Sequence, residues 1–317
     1  MRVPREVSQV EETITTVLPA LRPAQRLGLA LWVYGTILAG STCERAVLTA
    51  LEPLVGARGV HALRQRLREW LRDGADKAVP GRTELDAAAC FAPLLGWVLA
   101  LWRGTTVPLA LDATLLHDRV VVLSISVVYR GCAIPVAWHV AAANRKGAWL
   151  GPIGALIAAL APAVPPTHTV LLLTDRGLWS PRIWRAACAA GWHPLLRIRQ
   201  AATFCPTGGE RVAAASLVAG PGHAWVGAGT AYKPSKRRAA TLVALWEEGF
   251  AEPCLVLTDL PPEDVGVCWY GLRAWIESGF RALKSLGWHW ERTRRTDPDR
   301  VARHWLVLAV ATLWTLA

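Results

Sequence analysis

The chain has 317 residues, of which 53% are apolar and 19% charged. That is enough for one large domain or two ordinary ones, and it excludes disorder for most of the length. Thirty-five Lys and Arg against 24 Asp and Glu leave a net charge of +11 and a pI near 9.8. Such an excess predicts a polyanionic partner, nucleic acid before an anionic membrane.

The mean hydropathy of +0.28 raises the question of a membrane span. Pro152, Pro162, Pro165 and Pro166 cut the uncharged stretch 147–174 into pieces shorter than the roughly 20 residues a span needs. The apolar runs 87–102 and 305–317 are also shorter than that, so no membrane partner is expected. The start, Met1-Arg-Val-Pro-Arg-Glu-Val-Ser, lacks the apolar core of a signal peptide, and a cytoplasmic location is expected. Seven Cys (43, 90, 132, 188, 205, 254, 268) form an odd set without a C-x-x-C pair. They read as reduced thiols used as small apolar residues.

Residues 1–105 read as helical, with Leu, Ala and Val at helical spacing. Over 60–72, Leu63, Leu67, Trp70 and Leu71 share one side of a helix and Arg64, Arg68 and Arg72 another, a basic face suited to a phosphate backbone. Breaks at 73–76 and 80–82 precede a helix predicted over 85–102. The texture then changes. A short apolar run ends at Asp112, and β-branched runs cover 119–129 and 132–140, with Tyr129-Arg130-Gly131 as the hairpin turn. A helix is predicted over 148–160, a strand over 167–174 ending at Asp175, a helix opened by Ser180-Pro181 and closed at Gly191, and a strand over 193–199.

This β-β-β-α-β-α-β order is that of the ribonuclease H-like fold: a mixed five-stranded sheet flanked by helices. Strand-like pieces at 211–218, 224–230, 239–246 and 253–260 suggest a β-rich insertion. Helices are predicted over 264–286 and from 299 to the end. The expected organisation is a helical DNA-binding region (1–105), a first part of the catalytic core (106–199), the β-rich insertion (200–262) and completing core helices (263–317).

Asp112 and Asp175 each follow an apolar strand, and the fold order makes those strands neighbours. Two carboxylates meeting at one edge need a counter-cation, and oxygen ligands select Mg²⁺ or Mn²⁺. A third carboxylate lies in Tyr270-Gly-Leu-Arg273-Ala-Trp-Ile-Glu277-Ser-Gly-Phe-Arg-Ala-Leu-Lys284. On a helix of about 100° per residue, Tyr270, Arg273, Glu277 and Lys284 share one stripe opposite Leu272, Trp275, Ile276, Leu283 and Leu286.

With these residues the chain resembles the DDE transposases of bacterial insertion sequences. The likeness is to the cut-and-paste branch with a β-strand insertion before the catalytic Glu and the signature Tyr-x2-Arg-x3-Glu-x6-Lys. It covers about 107–308, with Leu-Asp112-Ala-Thr and Leu-Thr-Asp175-Arg-Gly placed as in the family. The resemblance implies a metal-dependent transposase that cuts element ends and joins them to target DNA. Asp112 would bridge two Mg²⁺ ions, replaceable by Mn²⁺, with Asp175 and Glu277 each completing one shell. Tyr270, Arg273 and Lys284 would contact DNA phosphates at the site, and Arg64 and Arg68 the backbone elsewhere. It further implies a homodimer on double-stranded DNA, work at the bacterial nucleoid, and a flipped base stacked on an aromatic residue, for which Trp179, Trp225 and Trp246 are candidates. Residues 1–105 match no helix-turn-helix signature. A nuclease of the same fold without strand transfer, or a non-catalytic DNA-binding derivative, are the alternatives.

Overall fold

The computed structural model describes residues 4–77, 82–143, 149–266 and 269–317. Four helices open the chain: α1 (Arg5–Val17), α2 (Pro23–Ala39), α3 (Glu44–Val55) and α4 (Val60–Leu71). In α4 the side carrying Leu63, Leu67, Trp70 and Leu71 is buried, as its pattern predicts. Of the two breaks expected next, Pro80 and Gly81 lie outside the described residues. The helix predicted over 85–102 is shorter, α5 (Phe91–Leu101), after a 3₁₀ turn at Ala88–Cys90.

Strands β1 (Thr106–Leu116), β2 (Val120–Tyr129) and β3 (Cys132–Ala142) form an antiparallel meander. The turn between β2 and β3 places Arg130 and Gly131 at φ 47° and 81°, the left-handed pair that a tight hairpin needs. Helix α6 (Leu150–Leu160) leads to β4 (Thr169–Thr174), and α7 (Pro181–Ala189) to β5 (His193–Arg197). The predicted start of α6 at Ala148 lies outside the described residues. Ser180 caps α7 by accepting from the Ile183 N–H at 3.2 Å, with Pro181 in the first turn. Strand β4 runs parallel to β1 and β5 parallel to β4, which gives the order β3-β2-β1-β4-β5 of a ribonuclease H-like core.

The β-rich segment does not stand apart from this sheet. Its strands are β6 (Thr203–Pro206), β7 (Val212–Ala213), β8 (His223–Ala231), β9 (Arg238–Trp246) and β10 (Cys254–Thr258). Strand β10 pairs antiparallel with β5, so a single ten-stranded sheet continues as β5-β10-β9-β8-β6-β7. The insertion thereby covers an edge of the core sheet that would otherwise expose unpaired backbone groups. Of the strand expected over 211–218 only Val212–Ala213 is extended, because Ala214–Leu217 forms a 3₁₀ turn.

The single helix expected over 264–286 is broken. It consists of 3₁₀ turns at Pro262–Asp264 and Trp269–Arg273 and then α8 (Ala274–Leu283). Pro261 and Pro262, with fixed φ, and Gly266 and Gly271, with weak helical preference, account for the late start. A 3₁₀ turn has three residues per turn, so Tyr270 and Arg273 still fall in line. Gly279 lets α8 lie directly on β3: a Cβ there would stand 2.6 Å from that of Ala133 and 2.9 Å from its backbone nitrogen.

The last helix, α9 (Pro298–Leu316), is buried over most of its length and packs on β3 and α2. It joins helical region and core into one hydrophobic cluster that includes Trp32, Trp138, Trp290 and Trp305. No helix among the described residues is long and apolar enough to cross a membrane. The six described cysteines are unbridged, and Cys268 lies outside the described residues.

Candidate active site

Asp112 is not at the end of its strand, as its sequence suggests. Strand β1 runs on to Leu116 and Asp112 faces Ser124 of β2. What ends there is the pairing with β4, whose last pair is Leu111 with Thr174. Asp112 and Asp175 are the next positions in that parallel register, so the two carboxylates emerge side by side where β4 stops and β1 continues. Each accepts a short local N–H: Asp112 from Ala113 at 2.8 Å and Asp175 from Arg176 at 2.6 Å.

Helix α8 brings the third carboxylate. Arg273, at its N-terminus, holds all three together: its Nη2 lies 2.5 Å from Asp112 Oδ2 and 4.0 Å from Asp175 Oδ2, and its Nη1 3.1 Å from Glu277 Oε1. Exposure is graded across this cluster, from 11% for the Arg273 side chain and 18% for Asp112 to 40% for Asp175 and 59% for Glu277. Burial pushes the Asp112 carboxyl above its ordinary range; Arg273 opposes that rise, while Asp175 and Glu277 add to it. Burial acts to lower the Arg273 guanidinium, but Asp112, Tyr270 and Asp175 more than offset this and hold it above its usual value. Its buried Nε has no hydrogen-bond partner among the described residues.

Tyr270 and Lys284 flank this centre. The Tyr270 hydroxyl donates to the carbonyl of Thr174 at 2.9 Å, immediately before Asp175. Lys284 is not within a helix two turns beyond Glu277, because α8 ends at Leu283. Its Nζ donates to the Leu115 carbonyl on β1 at 2.8 Å, which leaves two further N–H groups. Burial raises the Tyr270 phenol and lowers the Lys284 ammonium.

The remaining predicted residues lie elsewhere. Arg64 and Arg68 are exposed on α4, beside a depression of about 350 Å³ also lined by His61 and Arg72, and Arg68 pairs with Glu44 at 2.7 Å. Trp179 stacks on Tyr232 (5.5 Å between centroids, 16° between planes), Trp225 packs edge-on to Phe204, and Trp246 donates its N–H to the Phe250 carbonyl. The aromatic residue that stands open is Phe250, 61% exposed in the turn between β9 and β10. The turn is tied to the core by the ion pair of Glu252 with Arg176, the residue that follows Asp175 in the chain. Its only sequence signal is a lone aromatic in the polar tip Glu-Glu-Gly-Phe-Ala-Glu.

Asp112 within β1, Asp175 just past β4 and Glu277 on α8 come together beside a ribonuclease H-like sheet, an arrangement able to support phosphoryl transfer. Comparison with known families agrees: the transposase DDE domain matches residues 124–314, more than half of the chain. The chain belongs to this family, whose members are transposases and use divalent metal ions. The match contains Asp175 and Glu277 and begins after Asp112. No curated protein matches the chain.

The donor chemistry fits a divalent cation. Three hard carboxylates converge on one cationic group, and two of them keep solvent access. In the present arrangement Arg273 supplies the positive charge. Among the described residues no three His, Cys, Asp or Glu side chains are grouped closely enough to hold a metal ion as they stand.

Proposed function

We propose that this chain is a transposase that cleaves the ends of its element and joins them to target DNA by phosphoryl transfer, with Asp112, Asp175 and Glu277 as its metal-holding and catalytic residues. The convergence of these three carboxylates on Arg273 carries the reading. Two Mg²⁺ ions, or Mn²⁺ in their place, held by these groups would activate the attacking water or 3′-hydroxyl and stabilise the leaving oxygen. Arg273 balances the carboxylates in the resting site. Once cations share that charge, its bidentate fork turns to a phosphate of the cleaved strand. Tyr270 and Lys284 tie the α8 segment to the strands that carry the two Asp residues, and Lys284 keeps N–H groups for a phosphate. Phe250 takes the stacking role for an unpaired base, because it is exposed while Trp179, Trp225 and Trp246 are half-buried against Tyr232, Phe204 and the Phe250 carbonyl.

The division into a helical DNA-binding region (1–105), core (106–199 and 263–317) and β-rich insertion (200–262) belongs to the same proposal. So do backbone contacts by Arg64 and Arg68, and two copies acting on paired ends. Asp112→Asn, Asp175→Asn and Glu277→Gln should each abolish Mg²⁺-dependent cleavage and leave duplex binding intact, since each removes ligand charge without touching a phosphate contact. Cleavage that survives in one variant removes that residue from the site. Joining of a pre-cut 3′-hydroxyl end by the wild type separates a transposase from a nuclease of the same fold.

A further inference from the structure

Helix α7 leaves the carboxylate cluster directly, starting six residues after Asp175, and exposes Arg182 and Arg185 on its outer side. Its inner side carries Trp184, and the segment before it carries Trp179. These two rings grip Tyr232 at the end of β8: Trp179 stacks on it and Trp184 meets it edge-on at 6.3 Å. Tyr232 is 8% exposed and has a left-handed backbone, φ 68°. Arg211 donates to its carbonyl at 3.1 Å and to Thr203 Oγ1 at 3.1 Å. The start of the loop that follows is therefore held against α7 by an aromatic clamp and against β6 by a guanidinium.

That loop is Lys233-Pro-Ser-Lys236-Arg237-Arg238, with Lys233, Lys236 and Arg237 exposed. It closes on itself through the Lys236 N–H on the Lys233 carbonyl at 2.8 Å. From 211 to 246 the sequence contains no Asp or Glu. Glu210 and Glu247 flank that stretch in the chain, and the Glu263-Asp264 turn packs against β8. Among the described residues none of Arg182, Arg185, Arg211, Lys233, Lys236 and Arg237 has an ion-pair partner. By contrast, Arg176, Arg273, Arg300 and Arg303 are all paired. Like charges held together without internal partners raise the local potential and favour an external polyanion.

We infer that α7 and the β8–β9 loop form a second phosphate-binding surface, which carries duplex DNA away from the active site along the insertion. The loop offers no large apolar side chain for a lipid to receive: residues 233–238 are basic, Pro or Ser. The inference rests on the transposase reading for the nature of the polymer, but not for the cations themselves.

Phosphate contacts carry no sequence information, so a labelled linear duplex of arbitrary sequence is a sufficient probe. Binding is measured in EDTA over a series of salt concentrations. The triple variant Lys233→Ala, Lys236→Ala, Arg237→Ala should lower the slope of log affinity against log salt by about 0.9 for each phosphate that is no longer neutralised. A control, Arg130→Ala, removes an exposed charge from the β2–β3 turn, outside both the 1–105 region and this loop, and should leave the slope unchanged. An unchanged slope in the loop variant, or an equal fall in both, overturns the surface. If the triple variant does not fold, Lys236→Glu alone reads the same phosphate interaction. The active-site proposal is tested separately by the Mg²⁺-dependent cleavage that Asp112→Asn should abolish; its failure leaves the EDTA result untouched.

Discussion

Two clusters of buried charge in this molecule are built in opposite ways. At the seam between α9 and the N-terminal helices two guanidinium groups and two carboxylates answer one another, although the Arg300 Nε has no partner among the described residues. Arg303, with 6% of its side chain exposed, donates to the Leu71 carbonyl at 2.6 Å, the Leu85 carbonyl at 3.3 Å and Asp73 at 2.7 Å. Arg300 binds Asp73 and Asp76, and the Arg303 and Arg300 hydrogen bonds hold the Asp73 carboxyl below its ordinary range. At the active site three carboxylates share one guanidinium, and burial drives Asp112 up rather than down. The seam pairs acids and bases in equal number, whereas the site gathers three acids on one base.

The sharpest way to break this comparison, after loss of a catalytic carboxylate, is to damage the seam. Arg303→Ala leaves two buried carbonyls without their donor and Asp73 with Arg300 alone, and should cost about 2 kcal/mol in urea unfolding, because buried acceptors are left unpaired. Cleavage per folded molecule should stay at the wild-type level. If that activity falls too, the seam also shapes the site.

Phe250→Ala tests the open edge. It removes an exposed ring, so the melting temperature should not change, but binding of a DNA end with an unpaired base should weaken by about 2 kcal/mol. Equal binding by both proteins returns the stacking role to one of the engaged Trp residues.

The smallest effect is a pH dependence at the seam. His304 is fully buried, and burial, then Arg295, hold its pKa well below the ordinary imidazole value. Arg295 Nε donates to Nδ1 at 3.2 Å, so the neutral ring carries its proton on Nε2, facing Thr42 Oγ1, with the Trp32 ring 5.4 Å away. A depressed pKa means that the unfolded chain binds the proton first. Stability is then complete above about pH 6.5 and declines below it by about 1.4 kcal/mol per unit until the folded pKa is reached. His304→Gln keeps a donor and an acceptor without titrating, so its stability should fall less between pH 7 and pH 5. Parallel pH profiles for both proteins would assign the decline to other groups.

Much of the site was legible in the sequence because strand periodicity and chemistry coincide there. The apolar runs before Asp112 and Asp175 and the spacing of Tyr270, Arg273, Glu277 and Lys284 are local patterns, and α4 and the β2–β3 turn were equally plain. Which groups satisfy one another was not legible. Arg300 and Arg303 sit in a C-terminal helix whose partners Asp73 and Asp76 lie far away in the chain. Phe250 carries no periodic signal, and its exposure is decided by the turn between β9 and β10.

Most element types, the order of the core strands and the set of three carboxylates with a tyrosine and two cations follow from local pattern along the chain, while the 3₁₀ turns at Ala214–Leu217 and Trp269–Arg273 do not. Only the tertiary structure decided that the insertion extends the core sheet through β10, that Asp112 lies within a strand outlasting its neighbour, and that Arg273 stands between the acids. Strand pairing and ion pairing act through space, between groups that the chain separates by many residues. Alternation and spacing along the chain define the face of each element but leave open which distant face it meets.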